Sequence, residues 1–137
     1  MRKDLHNNTF PSLGLDFGSI TTNTTTVGNI IDTRGYEALE YYIISGSISD
    51  GAYAILIEEG NESDLSDATT VADNELLGTL ANAGFTDADD ATVKRIGYIG
   101  AKRYVRISIV STGVTSGGTF SALAVQGTAS DNPTADA

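Results

Sequence analysis

Cysteine and tryptophan are absent from these 137 residues, and there are only two prolines and one histidine, His6. Without cysteine the chain has no disulfide framework, no thiol nucleophile and no Cys-based zinc or iron–sulfur site. A Ser-His-Asp triad would depend entirely on His6, which lies in a polar stretch with no partner cluster around it. No apolar run approaches the roughly 20 residues of a membrane-spanning helix. The basic start Met1-Arg2-Lys3 leads into Asp4, His6, Asn7 and Asn8 rather than an apolar segment, so neither a standard secretion signal nor a membrane anchor is expected. Basic residues are also scarce, with 8 Lys and Arg against 18 Asp and Glu and a formal charge of −10. Affinity for phosphates comes chiefly from Lys and Arg, so nucleic acid is not the expected partner. A chain of this length forms one domain with a core of its own, and no cofactor or metal is implied.

What the sequence does have is a period of two, the signature of strands buried on one face. Over residues 37–45, Leu39, Tyr41 and Ile43 share one face, and Tyr42 and Ile44 the other. Over 52–58, Tyr53, Ile55 and Ile57 oppose Ala54 and Leu56; Asp50-Gly51 and Glu59-Gly60-Asn61 bound the strand with turn residues. Residues 103–109 alternate most clearly, with Arg103, Val105, Ile107 and Ile109 opposite Tyr104, Arg106 and Ser108. Residues 119–126 set Phe120, Ala122 and Ala124 against Leu123 and Val125. Weaker strands are expected at 27–32, 69–72 and 92–99. Residues 74–83 read equally as a short helical turn, through Leu76, Leu77 and Leu80, or as a strand, because Gly78 interrupts them. Abundant Ser and Thr favour strands and turns.

The expected architecture is all-β: a β-sandwich or jelly roll of about eight antiparallel strands over residues 27–127. Residues 1–26 carry Phe10, Leu13, Leu15 and Phe17, spaced by Pro11, Gly14 and Gly18. They read either as an edge strand packed on their own domain or as an extended N-terminal arm that reaches a neighbouring subunit. Residues 128–137 lack large apolar side chains and are expected to form a disordered tail.

The charge is segregated. No Lys or Arg lies between Arg34 and Lys94, whereas Lys94, Arg95, Lys102, Arg103 and Arg106 follow within 13 positions and no acid occurs from Ala91 to Ser130. Either acidic loops and basic strands neutralise each other within the domain, or the two surfaces meet across subunit boundaries, where complementary potentials set register and partner. Arg103 alternates with inward residues, so a paired role within the domain or at a subunit interface suits it best. The acidic runs at 64–67 and 87–90 lack the ligand order of a calcium-binding loop. Adjacent carboxylates such as Glu58-Glu59 point to opposite faces of a strand and cannot flank a glycosidic bond. No catalytic constellation emerges, and the expectation is a protein that is not an enzyme.

The stretch VKRIGYIGAKRYVRI at residues 93–107 resembles a recurring sequence in small virion proteins of tailed bacteriophages and prophages. DLSD at 64–67, NELLG at 74–78 and the small-residue strand at 121–127 also look like that group, so the likeness spans about residues 31–127. The family it is most similar to is the capsid decoration, or cement, proteins of the Bordetella-phage type. That resemblance implies a jelly roll that forms a homotrimer, made in the host cytoplasm. It would bind the phage major capsid protein on the outer capsid surface at local three-fold axes. Expected subunit or capsid contacts are Phe10, Leu13, Leu15 and Phe17 of the N-terminal segment, together with Lys94, Arg95, Lys102, Arg103 and Arg106. The alternative is a carbohydrate- or receptor-binding module of a head or tail fibre, using Tyr36, Tyr41, Tyr42 and Tyr53.

Overall fold

The computed structural model describes residues 3–129. Its strands are β1 (Thr9–Ile20), β2 (Thr25–Asp32), β3 (Tyr36–Ile48), β4 (Ala52–Gly60), β5 (Thr69–Thr70), β6 (Leu76–Leu77), β7 (Phe85–Thr86), β8 (Val93–Tyr98), β9 (Tyr104–Thr112) and β10 (Gly118–Ala129). One short helix, α1 (Leu80–Ala83), and two single 3-10 turns complete the described chain. The segment read equally as helix or strand is both: β6, then Gly78 at positive φ, then α1 capped by the Thr79 hydroxyl.

Two antiparallel sheets form a β-sandwich. The first has the order β1-β10-β3-β8-β6, the second β2-β9-β4-β5, with β7 also pairing β4. The core lies between them and is built by the alternation. Leu39, Tyr41 and Ile43 of β3 and Phe120, Ala122 and Ala124 of β10 face Tyr53, Ile55 and Ile57 of β4 and Val105, Ile107 and Ile109 of β9, all buried. Each of the large side chains contributes about 1.5–3 kcal/mol through burial. At one end Phe120 packs against Tyr53 at 4.5 Å and edge-on against Phe85 at 5.5 Å.

The N-terminal segment is not a free arm. Thr9–Ile20 forms the edge strand of the first sheet, paired with β10 from Thr9↔Gly127 to Ile20↔Gly118. The register shifts between Leu13 and Leu15 and again between Leu15 and Gly18, the mark of β-bulges. Glycine permits the first shift: a Cβ on Gly14 would press into the Tyr41 ring, and one on Gly28 would overlap the Gly14 carbonyl. At the other end β10 runs on through Thr128 and Ala129, where Ala129 pairs with Tyr36, so the expected tail cannot begin before residue 130; its remainder lies outside the described residues.

Loop acids serve the loops. Asp50, in the β3–β4 hairpin, accepts hydrogen bonds from the backbone N–H of Thr115, Ser116 and Gly117, at 3.1, 3.0 and 3.0 Å. Those bonds, Gly117 first, hold its carboxyl below the usual range. Asp67 accepts from Asn61 and Glu62, and Asp64 from Ser66, so the acidic run 64–67 closes its own turn.

Candidate functional site

The basic residues that looked like one docking patch divide into two groups. Arg103 donates two hydrogen bonds of 2.9 Å to the Asp32 carboxylate and lies 4.9 Å from the Tyr104 ring. This fork-on-carboxylate contact clips β2 to β9 and is the main reason the Asp32 carboxyl sits below its ordinary range. Arg106 donates to Glu58 at 2.9 Å across the β4–β9 pair, with both side chains largely covered. Lys94 lies 3.4 Å from Asp89, donates to the Gly84 carbonyl and sits over the Phe85 ring. These three charges are therefore neutralised within the protomer. Arg95 and Lys102 remain exposed, and neither forms an ion pair among the described residues.

The four apolar residues of the N-terminal segment divide as well. Leu15 is 3% exposed and belongs to the core. Phe10 is half-buried and stacks on Tyr36 with ring centroids 6.0 Å apart. Leu13 and Phe17 are 54% and 74% exposed. The bulge at Gly14 causes the split, because one inserted residue reverses the strand's alternation, so that Leu13 points outward and Leu15 inward.

Leu13 is part of a surface that periodicity alone did not expose as one patch: the outer face of the first sheet. Direct cross-strand partners lie on the same face. One row is Leu13, Leu123, Tyr42 and Arg95. The next is Pro11, Val125, Glu40, Gly97 and Leu77. On the other side come Ser121, Ile44 and Val93. Leu77 is 56% and Val93 61% exposed. A shallow depression of about 250 Å³ opens at the end of this face between Leu77, Ile99, Val125, Glu40 and Glu37. Only Glu40 and Arg95 are charged in these rows, and the Glu40 carboxylate lies over Gly97 against Leu77. That covering raises the Glu40 carboxyl above its usual range, with the nearby Arg95 charge a lesser, opposing influence.

The tyrosines proposed for sugar contact do not form an exposed set. Tyr41 and Tyr53 are buried in the core, and Tyr53 Oη donates to the Asp50 carbonyl at 2.8 Å. Tyr36 and Tyr42 are half-buried.

A second polar group, unmarked in the sequence, lies where β4, β6 and β8 meet. Tyr98 Oη donates to Glu59 Oε1 at 2.6 Å and accepts from the Lys102 backbone N–H at 3.1 Å. Glu75 adjoins Glu59, and its buried Oε2 has no donor. Burial, then the hydrogen bond to Glu59 and its charge, push the Glu75 carboxyl above its usual range. Among the described residues no three His, Asp or Glu side chains converge to hold a metal ion.

Comparison with models of protein families, with curated proteins and with solved structures finds no match for this chain.

Proposed function

We propose that this domain is a jelly roll and a structural virion protein, one that decorates and stabilises a phage capsid as a homotrimer on the outer surface of the major capsid shell. The observation that carries the reading is the apolar outer face of the first sheet, a surface made for contact with other protein. The resemblance of residues 93–107 to phage virion proteins gives that contact its setting. Strand order supports the fold: the first, last, third and eighth strands lie side by side in one sheet, the second, ninth and fourth in the other. Such interleaving of early and late strands is what two Greek keys wound together would give, and it supports the jelly-roll reading.

A trimer holding several shell subunits resists outward pressure because every joint it spans must open before the shell fails. Multivalent attachment makes individually weak contacts effective. Exposed Lys102, and the hairpin and loop ends of the sandwich, are free to touch the shell while the first sheet's outer face is covered.

The test is reconstitution. Purified protein added to expanded capsids that lack it should appear as density at the local three-fold axes and raise the temperature at which the shells rupture. Capsids that gain neither density nor heat resistance overturn the reading, and tight binding on a glycan array would transfer it to receptor recognition.

A further inference from the structure

We infer that the outer face of the first sheet is the self-association surface of this protein, covered by the same face of neighbouring copies, each copy's Arg95 lying against a neighbour's Glu40. The inference rests on the reading above only in taking the assembly to be a trimer; the choice of face and occupant comes from the surface itself.

Charge points to the occupant. Within the registered rows of this face Glu40 and Arg95 are the only charged groups, opposite in sign and offset along adjacent strands. Neither forms an ion pair or hydrogen bond among the described residues. Around a three-fold axis each copy's Arg95 can meet the Glu40 of one neighbour while its own Glu40 meets the Arg95 of the other, so both are satisfied by copies of this chain. The rest of the molecule argues the same way. With a net charge of −10, and with Asp50, Glu62, Asp64, Asp67 and Asp87 all in loops away from these rows, most other contacts between copies would bring acids together. The face where charges balance is the one where copies approach without repulsion.

Size sets the expected strength. Strands about 4.8 Å apart and a shared register of six residues at about 3.3 Å each give the four registered strands a face of roughly 400 Å² in projection. Around a three-fold axis that face is divided between two neighbours, so each joint is smaller than the roughly 800 Å² per partner of a standard interface and the trimer holds through the closure of its three joints. Leu13, Ile44, Leu77 and Val93 supply its apolar part, and the depression beside Leu77 offers a seat for a neighbour's side chain. Closure around a rotation axis covers every copy's face and leaves none free to propagate a fibre.

Sedimentation velocity on the full chain tests this. Wild-type protein should sediment as a trimer at micromolar concentration. Glu40→Arg and Arg95→Glu should each weaken association at least tenfold, and the double exchange Glu40→Arg/Arg95→Glu should recover most of it. Val93→Asp, which leaves both charges in place, should also yield monomer. Circular dichroism confirms that each variant is folded; one that is not is replaced by Leu13→Asp on the same face. A monomeric wild type, folded variants that associate unchanged, or a double exchange no better than the single ones overturns the inference. Applying the same variants to capsids separates the two readings. Wild-type protein that binds capsids as a monomer leaves the decoration role standing and removes the self-association face. A trimer that binds no capsid does the reverse.

Discussion

Leu13 and Leu15 are two residues apart on one strand, yet they point to opposite faces of the sheet, Leu13 to the outside and Leu15 into the core, because the register shifts between them at Gly14. Leu15→Ala is expected to cost about 2–5 kcal/mol in denaturant unfolding, as cavity-forming truncations do. Leu13→Ser should change monomer stability by less than about 0.5 kcal/mol. Equal losses at the two positions would contradict the bulged register.

Arg106 and Arg95 make a second contrasting pair. Arg106→Ala leaves the largely covered Glu58 carboxylate without its partner and should cost roughly 1–3 kcal/mol. Arg95→Ala, at an exposed position, should leave unfolding of the isolated domain nearly unchanged. Chemical denaturation of both variants, at protein concentrations low enough to keep the domain monomeric, checks the difference.

Stability should fall as pH rises from mild acidity to neutrality. Glu75 has a folded-state pKa above its unfolded value of 4.5, so the native state holds the Glu75 proton more tightly, and that contribution is lost as pH rises through the folded pKa. Asp32, Asp50 and Asp89 are shifted downward, so their contribution is intact above the ordinary Asp range and is lost as pH falls through their folded pKa values. The two trends place the maximum on the mildly acidic side of neutrality. Glu75→Gln, which cannot ionise and can donate to Glu59 at every pH, should reduce the loss above the ordinary Glu range. Urea midpoints of wild type and variant that fall in parallel there would refute the raised Glu75 pKa.

The Tyr41 hydroxyl is buried and has no hydrogen-bond partner among the described residues. Tyr41→Phe removes a desolvated donor while keeping the ring that packs at Gly14, so the expected result lies between no change and a gain of about 1 kcal/mol. A loss of more than 1 kcal/mol in thermal or urea unfolding would mean that the hydroxyl does have a partner.

How much of this was legible in the sequence depends on how local the cause was. The faces of β3, β4, β9 and β10 follow from alternation alone, because each buries apolar side chains at every second position through its middle. The face of β1 does not, since a bulge that depends on Tyr41 sitting against Gly14 inverts it midway. β5, β6 and β7 are two residues each, too short for any period to appear. Charge segregation was visible, but Arg103–Asp32 and Arg106–Glu58 join residues 71 and 48 positions apart, and only the strand order brings them together. The apolar outer face was hidden for the same reason: its rows draw single residues from five strands, and none of those strands carries an unusual sequence.

β10 lies between β1 and β3 in the first sheet, yet it is the last of the described strands to emerge from the ribosome. Until it arrives, β1 has no strand to pair with in its sheet and β3 exposes an open edge, so the outward apolar surface does not exist as a surface while the chain is being made. A chain that ends before residue 118 would lack the strand that assembles this face, so in the self-association proposed above only finished domains would take part.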